Sequence, residues 1–167
     1  MNREYALKSE ENDYFLLDDF NRQVLHLTEL GQTPKKHHTD ASGYTTDGRY
    51  CNIELKYRDA KLTDDFKMSA ETYTVDSIFI ENHKVGDMLL DYVINKDIPL
   101  YINFFQDGYV ALFNLSRLKH RPNKVTKKIY SKLYQGFELA KREELLLIDA
   151  WIYRKENDVY KLIRKPC

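Results

Sequence analysis

The chain has 167 residues, 43% hydrophobic and 13% aromatic, and its 26 basic and 26 acidic side chains cancel to a formal net charge of zero. This excludes a low-complexity chain, and with only two cysteines, Cys51 and Cys167, it also excludes a disulfide-stapled miniprotein. A chain of this size buries roughly 70% of its unfolded surface and needs no staples.

The opening MNREYALKSEEN is charged and lacks an apolar signal core, and no later run is long enough to span a membrane. A soluble protein of a reducing, cytoplasmic compartment is expected. The zero net charge is unevenly placed. Residues 1–116 hold 12 Lys+Arg against 20 Asp+Glu, a net of −8, and residues 117–167 hold 14 against 6, a net of +8. A basic C-terminal third suits contact with a phosphate backbone, and equally suits internal balance of an acidic body.

In chain order, residues 9–30 read as a helix with Leu17, Phe20, Val24 and Leu27 on one face. Ser9 is its expected N-cap, Glu10 and Glu11 suit the dipole, and Gly31 and Pro34 end it. Two extended segments come next, around Asp47-Gly48, a hairpin signal. In the second, CNIELKYRD, strict alternation puts Cys51, Ile53, Leu55 and Tyr57 on one face and Asn52, Glu54, Lys56 and Arg58 on the other. That is a half-buried strand. A polar connection leads to YTVDSIFI, expected as a third, well-buried strand.

Asn82 then opens a helix with Val85, Met88, Leu89, Tyr92 and Val93 on one face, and two strands flank Gly108. Past Pro122 the basic run NKVTKKIYSKLYQGFELA reads as partly helical, and two final strands flank Glu156-Asn157. One domain is expected, with a core over 1–116 and a basic extension over 117–167 made of a helix plus a hairpin.

An isolated Glu-x-Lys on a strand is usually a wet face. Its weight here depends on Asp40, on the partner strand of the proposed hairpin. A two-residue loop at Asp47-Gly48 sets Asp40 opposite Leu55, pointing to the wrong face. A three-residue loop, Thr46-Asp47-Gly48, sets Asp40 opposite Glu54, with Gly48 in the left-handed position that closes this turn. Only the second loop gathers Asp40, Glu54 and Lys56. Together they suit Mg²⁺ or Mn²⁺ held by two carboxylates, with a lysine to stabilise charge developing on a phosphodiester.

With Asp40 on one hairpin strand and Glu54-Leu55-Lys56 on the next, set in this order of elements, the sequence resembles the PD-(D/E)XK nuclease superfamily over roughly residues 9–115. The resemblance implies an α+β, restriction endonuclease-like αβββαβ core with a mixed central sheet flanked by helices. It implies a metal-dependent endonuclease acting on duplex or branched DNA, of phage or mobile-element type. Asp40 and Glu54 would bind the metal and Lys56 would assist the nucleophile. Glu10, which shares a stripe with Leu17, Phe20 and Val24, would supply a first-helix acid, with Glu11 the alternative. The sequence departs from the pattern in having Thr39, not proline, before Asp40.

Other residues are read more plainly. Asp47 is a turn residue before it is a ligand. Lys84 is a solvated helix-start lysine or a phosphate contact, and Glu81 a helix-entry charge or an outer carboxylate. His37, His38 and Cys51 lack the paired spacing of a zinc site. Lys119, Arg121, Lys124, Lys127 and Lys128, with Tyr130 and Tyr134 close by, form a candidate nucleic-acid surface. Trp151 belongs to the core or to an oligomer contact. The competing reading is a non-catalytic nucleic-acid-binding or scaffolding protein on the same fold, forming a homodimer through its C-terminal strands.

Overall fold

In the computed structural model, residues 3–34, 37–131 and 136–167 are described, with side chains described from residue 12 onward except at 130 and 131. The first helix, α1 (Arg3–Phe20), passes into one π-helical turn over Asn21–Leu25 and stops at His26, whose φ of 54° is left-handed. The stop is chemical. The Asn21 side chain accepts from the Leu27 amide at 2.8 Å and donates to the Leu27 carbonyl at 3.1 Å, so both backbone groups of the reversing chain are satisfied. The expected helix to residue 30 is therefore cut short. Leu17 and Phe20 are its fully buried face, while Leu27 is buried from outside the helix.

The chain then enters a strand that the helical periodicity hides, β1 (Thr28–Gln32). After it come β2 (Ala41–Tyr44) and β3 (Tyr50–Arg58). A small sheet of β4 (Lys61–Leu62), β5 (Met68–Ala70) and β6 (Tyr73–Val75) precedes β7 (Ser77–Glu81) and α2 (Asn82–Asn95). The remainder is β8 (Ile98–Phe105), β9 (Tyr109–Asn114), β10 (Asn123–Ser131), β11 (Gly136–Leu146), β12 (Trp151–Glu156) and β13 (Val159–Arg164).

The central sheet has seven strands in the order β1-β2-β3-β8-β9-β12-β13. It is mixed: β3 and β8 run parallel and its other pairs are antiparallel. The αβββαβ arrangement is thus present as α1, β1, β2, β3, α2 and β8, a restriction endonuclease-like core. The expected third strand, YTVDSIFI, is not one of its members. It breaks at Asp76 into β6 and β7, and β7 pairs with β11 in a separate sheet of order β10-β11-β7. Both edges of β3 are already taken, by β2 and β8, so β7 has no place beside it.

The basic run expected to be partly helical is instead a strand. β10 pairs with β11 residue for residue, from Asn123↔Glu144 to Ser131↔Gly136. Val125, Thr126 and Ile129 are β-branched and favour this, and the deciding factor is a partner strand supplied later in the chain. The last hairpin extends the central sheet through β9 and β12. It is tied to α1 by Lys155 to Asp19 at 2.8 Å and to the π-helical turn by Gln23, which accepts from the Tyr160 amide at 3.1 Å.

A parallel pair needs a crossover, and α2 supplies it by lying over one face of the sheet. The opposite face packs Cys51, Ile53 and Leu55 with Leu100, Ile102 and Phe104 against Leu17 and Phe20. Under α2, Val85 and Met88 meet Ile78, Ile80, Tyr101, Phe113 and Leu145. Trp151 is partly buried against the first of these cores. No helix among the described residues is long and apolar enough to cross a membrane.

Asn21→Ala leaves the Leu27 amide and carbonyl without their partner. It is expected to lower the unfolding free energy by about 1–3 kcal/mol, measured by urea denaturation, with native circular dichroism retained.

Candidate active site

The hairpin of β2 and β3 closes through three residues. Tyr44 pairs with Tyr50 and Ala41 with Ile53, the Thr45 amide donates to the Arg49 carbonyl at 2.8 Å, and Gly48 has φ +80°. A side chain there would be strained. Asp47 holds this loop, bonding Thr45 and accepting from Arg49 Nε at 2.9 Å, which is the turn role expected of it.

Asp40 lies one residue before β2, and its amide still donates to the Ile53 carbonyl at 2.9 Å. The same register sets it against Glu54. Its Oδ2 accepts from the Leu55 amide at 2.8 Å. Asp40 therefore continues the β3 ladder just ahead of β2, with its carboxylate in contact with Glu54.

Glu54 is the unusual member. The alternation in CNIELKYRD predicts that it faces solvent, yet Asn52 and Glu54 are as buried as the apolar residues between them, with Glu54 only 7% exposed. The cover is α2. Lys84, in its first turn, makes an ion pair with Glu54 Oε1 and has a side chain 22% exposed, so it is neither solvated nor free for phosphate in this state. Glu54 Oε2 is buried and has no hydrogen-bond partner.

Burial first, then the Asp40 charge and the Asp40 contact, push the Glu54 carboxyl up to about 8 against the pull of Lys84. Burial works against the Lys84 ammonium, but its contact with Glu54 and the charges of Glu54, Asp40 and Glu81 outweigh this and raise its pKa.

Lys56 extends from the same face as Glu54, is exposed, and has no ion-pair partner among the described residues. Arg58, next on that face, donates to Asn103 Oδ1 at 2.9 Å, the Phe79 carbonyl at 2.9 Å and the Tyr101 hydroxyl at 2.6 Å. Tyr101 is the direct partner of Glu54 across β3 and β8. On the other side, Asn52 donates to Asp91 at 3.1 Å and Asp97 at 3.3 Å, and His38 contacts Asp91 at 2.8 Å. Sequence patterns miss these flanking networks because their partners lie on α2, β8 and β7, far along the chain. Only the period-two spacing of Asn52 and Arg58 about Glu54 hints at them.

The Glu10 and Glu11 side chains and those of Tyr130 and Tyr134 lie outside the described residues. Cys51 is on the α1 face, its thiol pushed up to about 11 chiefly by burial, and the His37 and His38 rings stack on each other at 4.3 Å outside any strand. The three do not converge. Glu81 pairs with Arg142 at 2.7 Å across the β7–β11 ladder. Lys119, Arg121 and Lys124 line one cavity, whereas Lys127 stacks over Phe79 at 4.5 Å on the opposite face of β10 from Lys124 and Lys128.

Among the described residues no cluster of three or more His, Cys, Asp or Glu is placed to hold a metal. Two carboxylates are placed, Asp40 and Glu54. They fit a hard divalent ion: one carries a buried oxygen with no partner, the pair repels itself, and a cation would remove both penalties.

No family model and no curated protein matches the chain. Among solved structures it is similar to Archaeoglobus fulgidus Hjc, a Holliday junction resolvase from an archaeal hyperthermophile. The TM-score is 0.46 and the identity 10%, over 80% of this chain and 81% of that one. At these values the reading of the site rests on its own residues.

An acid whose folded pKa lies above its unfolded value binds its proton more tightly when folded. The contribution of Glu54 to stability is therefore full below about pH 4.5 and is lost as pH rises through about 8. In metal-free buffer the urea midpoint is expected to fall from pH 5 to 8, and Glu54→Gln is expected to flatten that fall. A residual slope would remain from Asp97 and Glu143, whose pKa values burial also raises.

Proposed function

We propose that the chain is a divalent-metal-dependent phosphodiesterase acting on DNA. The observation that supports it most is Glu54: a buried carboxylate with an unpartnered oxygen, set against a second carboxylate and two residues before an exposed lysine on the same strand face. A purely structural strand would be more stable with an apolar residue there.

In this reading Asp40 and Glu54 would hold Mg²⁺ or Mn²⁺. The ion, when bound, polarises the phosphodiester and lowers the pKa of a water. Asp40 keeps its position because Oδ2 is fixed by the Leu55 amide. Lys84 balances the two carboxylates before a cation is present and orients Glu54. Lys56, exposed at the mouth of the site, would meet the negative charge that develops on the phosphoryl oxygens. Basic residues of the C-terminal third such as Lys124 and Lys128 would hold the backbone, and the edge strand β13, with Val159, Leu162 and Ile163 exposed, is the surface a homodimer would use.

A non-catalytic reading has one observation in its favour: the Asp40 contact with the Leu55 amide is a structural role in its own right. Cleavage of supercoiled plasmid and of branched DNA with Mn²⁺, Mg²⁺ or EDTA separates the two. The nuclease reading expects metal-dependent cutting that drops at least about a hundredfold in Glu54→Gln and Lys56→Ala. Folded protein that cuts nothing with either metal would favour the non-catalytic reading.

A further inference from the structure

The hairpin of β10 and β11 has two unlike faces. β7 supports β11 only between Arg142 and Leu146, so from the pair Thr126↔Lys141 outward the described ribbon has two strands. Alternation assigns its side chains. One face carries Val125, Lys127 and Ile129 with Arg142, Ala140 and Glu138. The other carries Lys124, Thr126 and Lys128 with Glu143, Lys141, Leu139 and Phe137. Two ring contacts agree with this division: Lys127 lies over Phe79, and Lys128 lies 4.9 Å from the Phe137 ring centre.

The charges on the two faces differ. On the first, Arg142 is paired with Glu81 and Glu138 is exposed. On the second, Lys124, Lys128 and Lys141 are exposed, while its acid, Glu143, is 8% exposed at the base. Every exposed charge described on that face is therefore a lysine. It also carries two large apolar side chains in solvent, Phe137 at 68% and Leu139 at 75%. At its base it continues into the cavity lined by Lys119, His120, Arg121 and Lys124.

We propose that this lysine face of the β10–β11 ribbon is the nucleic-acid-docking surface, with Lys124, Lys128 and Lys141 on phosphates and Phe137 and Leu139 turned to the bases. The inference rests on the reading of the chain as a DNA phosphodiesterase and adds a specific face to it. A row of cations without exposed acid complements a phosphate backbone. A two-stranded ribbon fits the major groove of a duplex, and exposed apolar side chains at its far end supply the base contact that a purely ionic surface lacks. Lys127, on the other face, is excluded from the surface despite its place in the basic run.

The test is binding of labelled duplex and branched DNA in EDTA, followed by fluorescence anisotropy from 50 to 200 mM salt, so that cutting plays no part. The Lys128→Gln, Lys141→Gln double variant is expected to bind about tenfold more weakly, with the slope of log affinity against log salt reduced by about 1.8. Lys127→Gln is expected to bind within about twofold of the parent, and Phe137→Ala to weaken binding without changing the slope. These positions are exposed, and thermal melts check that each variant is folded.

Equal losses in the Lys127 and the double variants, or none in the double variant, would overturn the face assignment. Absence of DNA binding by the folded parent would overturn the surface altogether and point to an acidic protein partner. Metal-dependent cutting with unchanged affinity in the double variant would sink this inference and leave the phosphodiesterase reading standing. Ribbon-dependent binding without any cutting would do the reverse.

Discussion

Glu54 lies beneath α2 with Asp40 on one side and Lys84 on the other, and the arrangement around it serves to keep that carboxylate in place. Burying an ionised group without full compensation costs several kcal/mol. Lys84 answers for one oxygen, while the other has no partner. Asp40 adds a second negative charge where a stabilising design would put a donor. The site is thus balanced only in part by its own residues, and a cation or a proton would complete it.

The fold produces this enclosure by topology. Because β3 and β8 are parallel, the chain between them must cross over the sheet, and α2 does so above the alternate residues of β3 that would otherwise be wet. The loop at Gly48 sets the other half. With three residues in the turn, Asp40 and Glu54 share a face, and one residue fewer would send them to opposite sides. Arg58, Tyr101 and Asn103 then fix β3, β7 and β8 together directly beside the site. The site is therefore held by regular elements, which favours a fixed geometry over an adaptable one.

Much of this could be read in the chain itself where the signal is local. The β3 strand itself, the Asp47-Gly48 turn and the burial of Val85 and Met88 on α2 appear as the periodicities suggest, whereas Tyr57 of β3 and Tyr92 and Val93 of α2, expected on the buried faces, are exposed. What escaped depends on distant partners. β1 is hidden because Leu27 falls in register with the helical stripe of Leu17 and Phe20, and only the Asn21 clamp shows that the helix has ended. YTVDSIFI has a strand's composition but nothing that says β3 has no free edge. The basic run after Pro122 has mixed propensity, and its pairing with β11 decides it. Lys84 looks like an ordinary helix-start lysine because its partner lies thirty residues earlier. The polar side of β3 looks solvated because sequence alternation distinguishes faces without saying what covers them.

The proposed cation site of Asp40 and Glu54 is open to a test that makes no reference to activity: direct binding of Mn²⁺, followed by calorimetry or by loss of the free-ion paramagnetic signal. One site per chain is expected, with an affinity that falls at least about tenfold in both Asp40→Asn and Glu54→Gln. Folded parent protein that binds no Mn²⁺, or variants that bind it as tightly as the parent, would rule the site out.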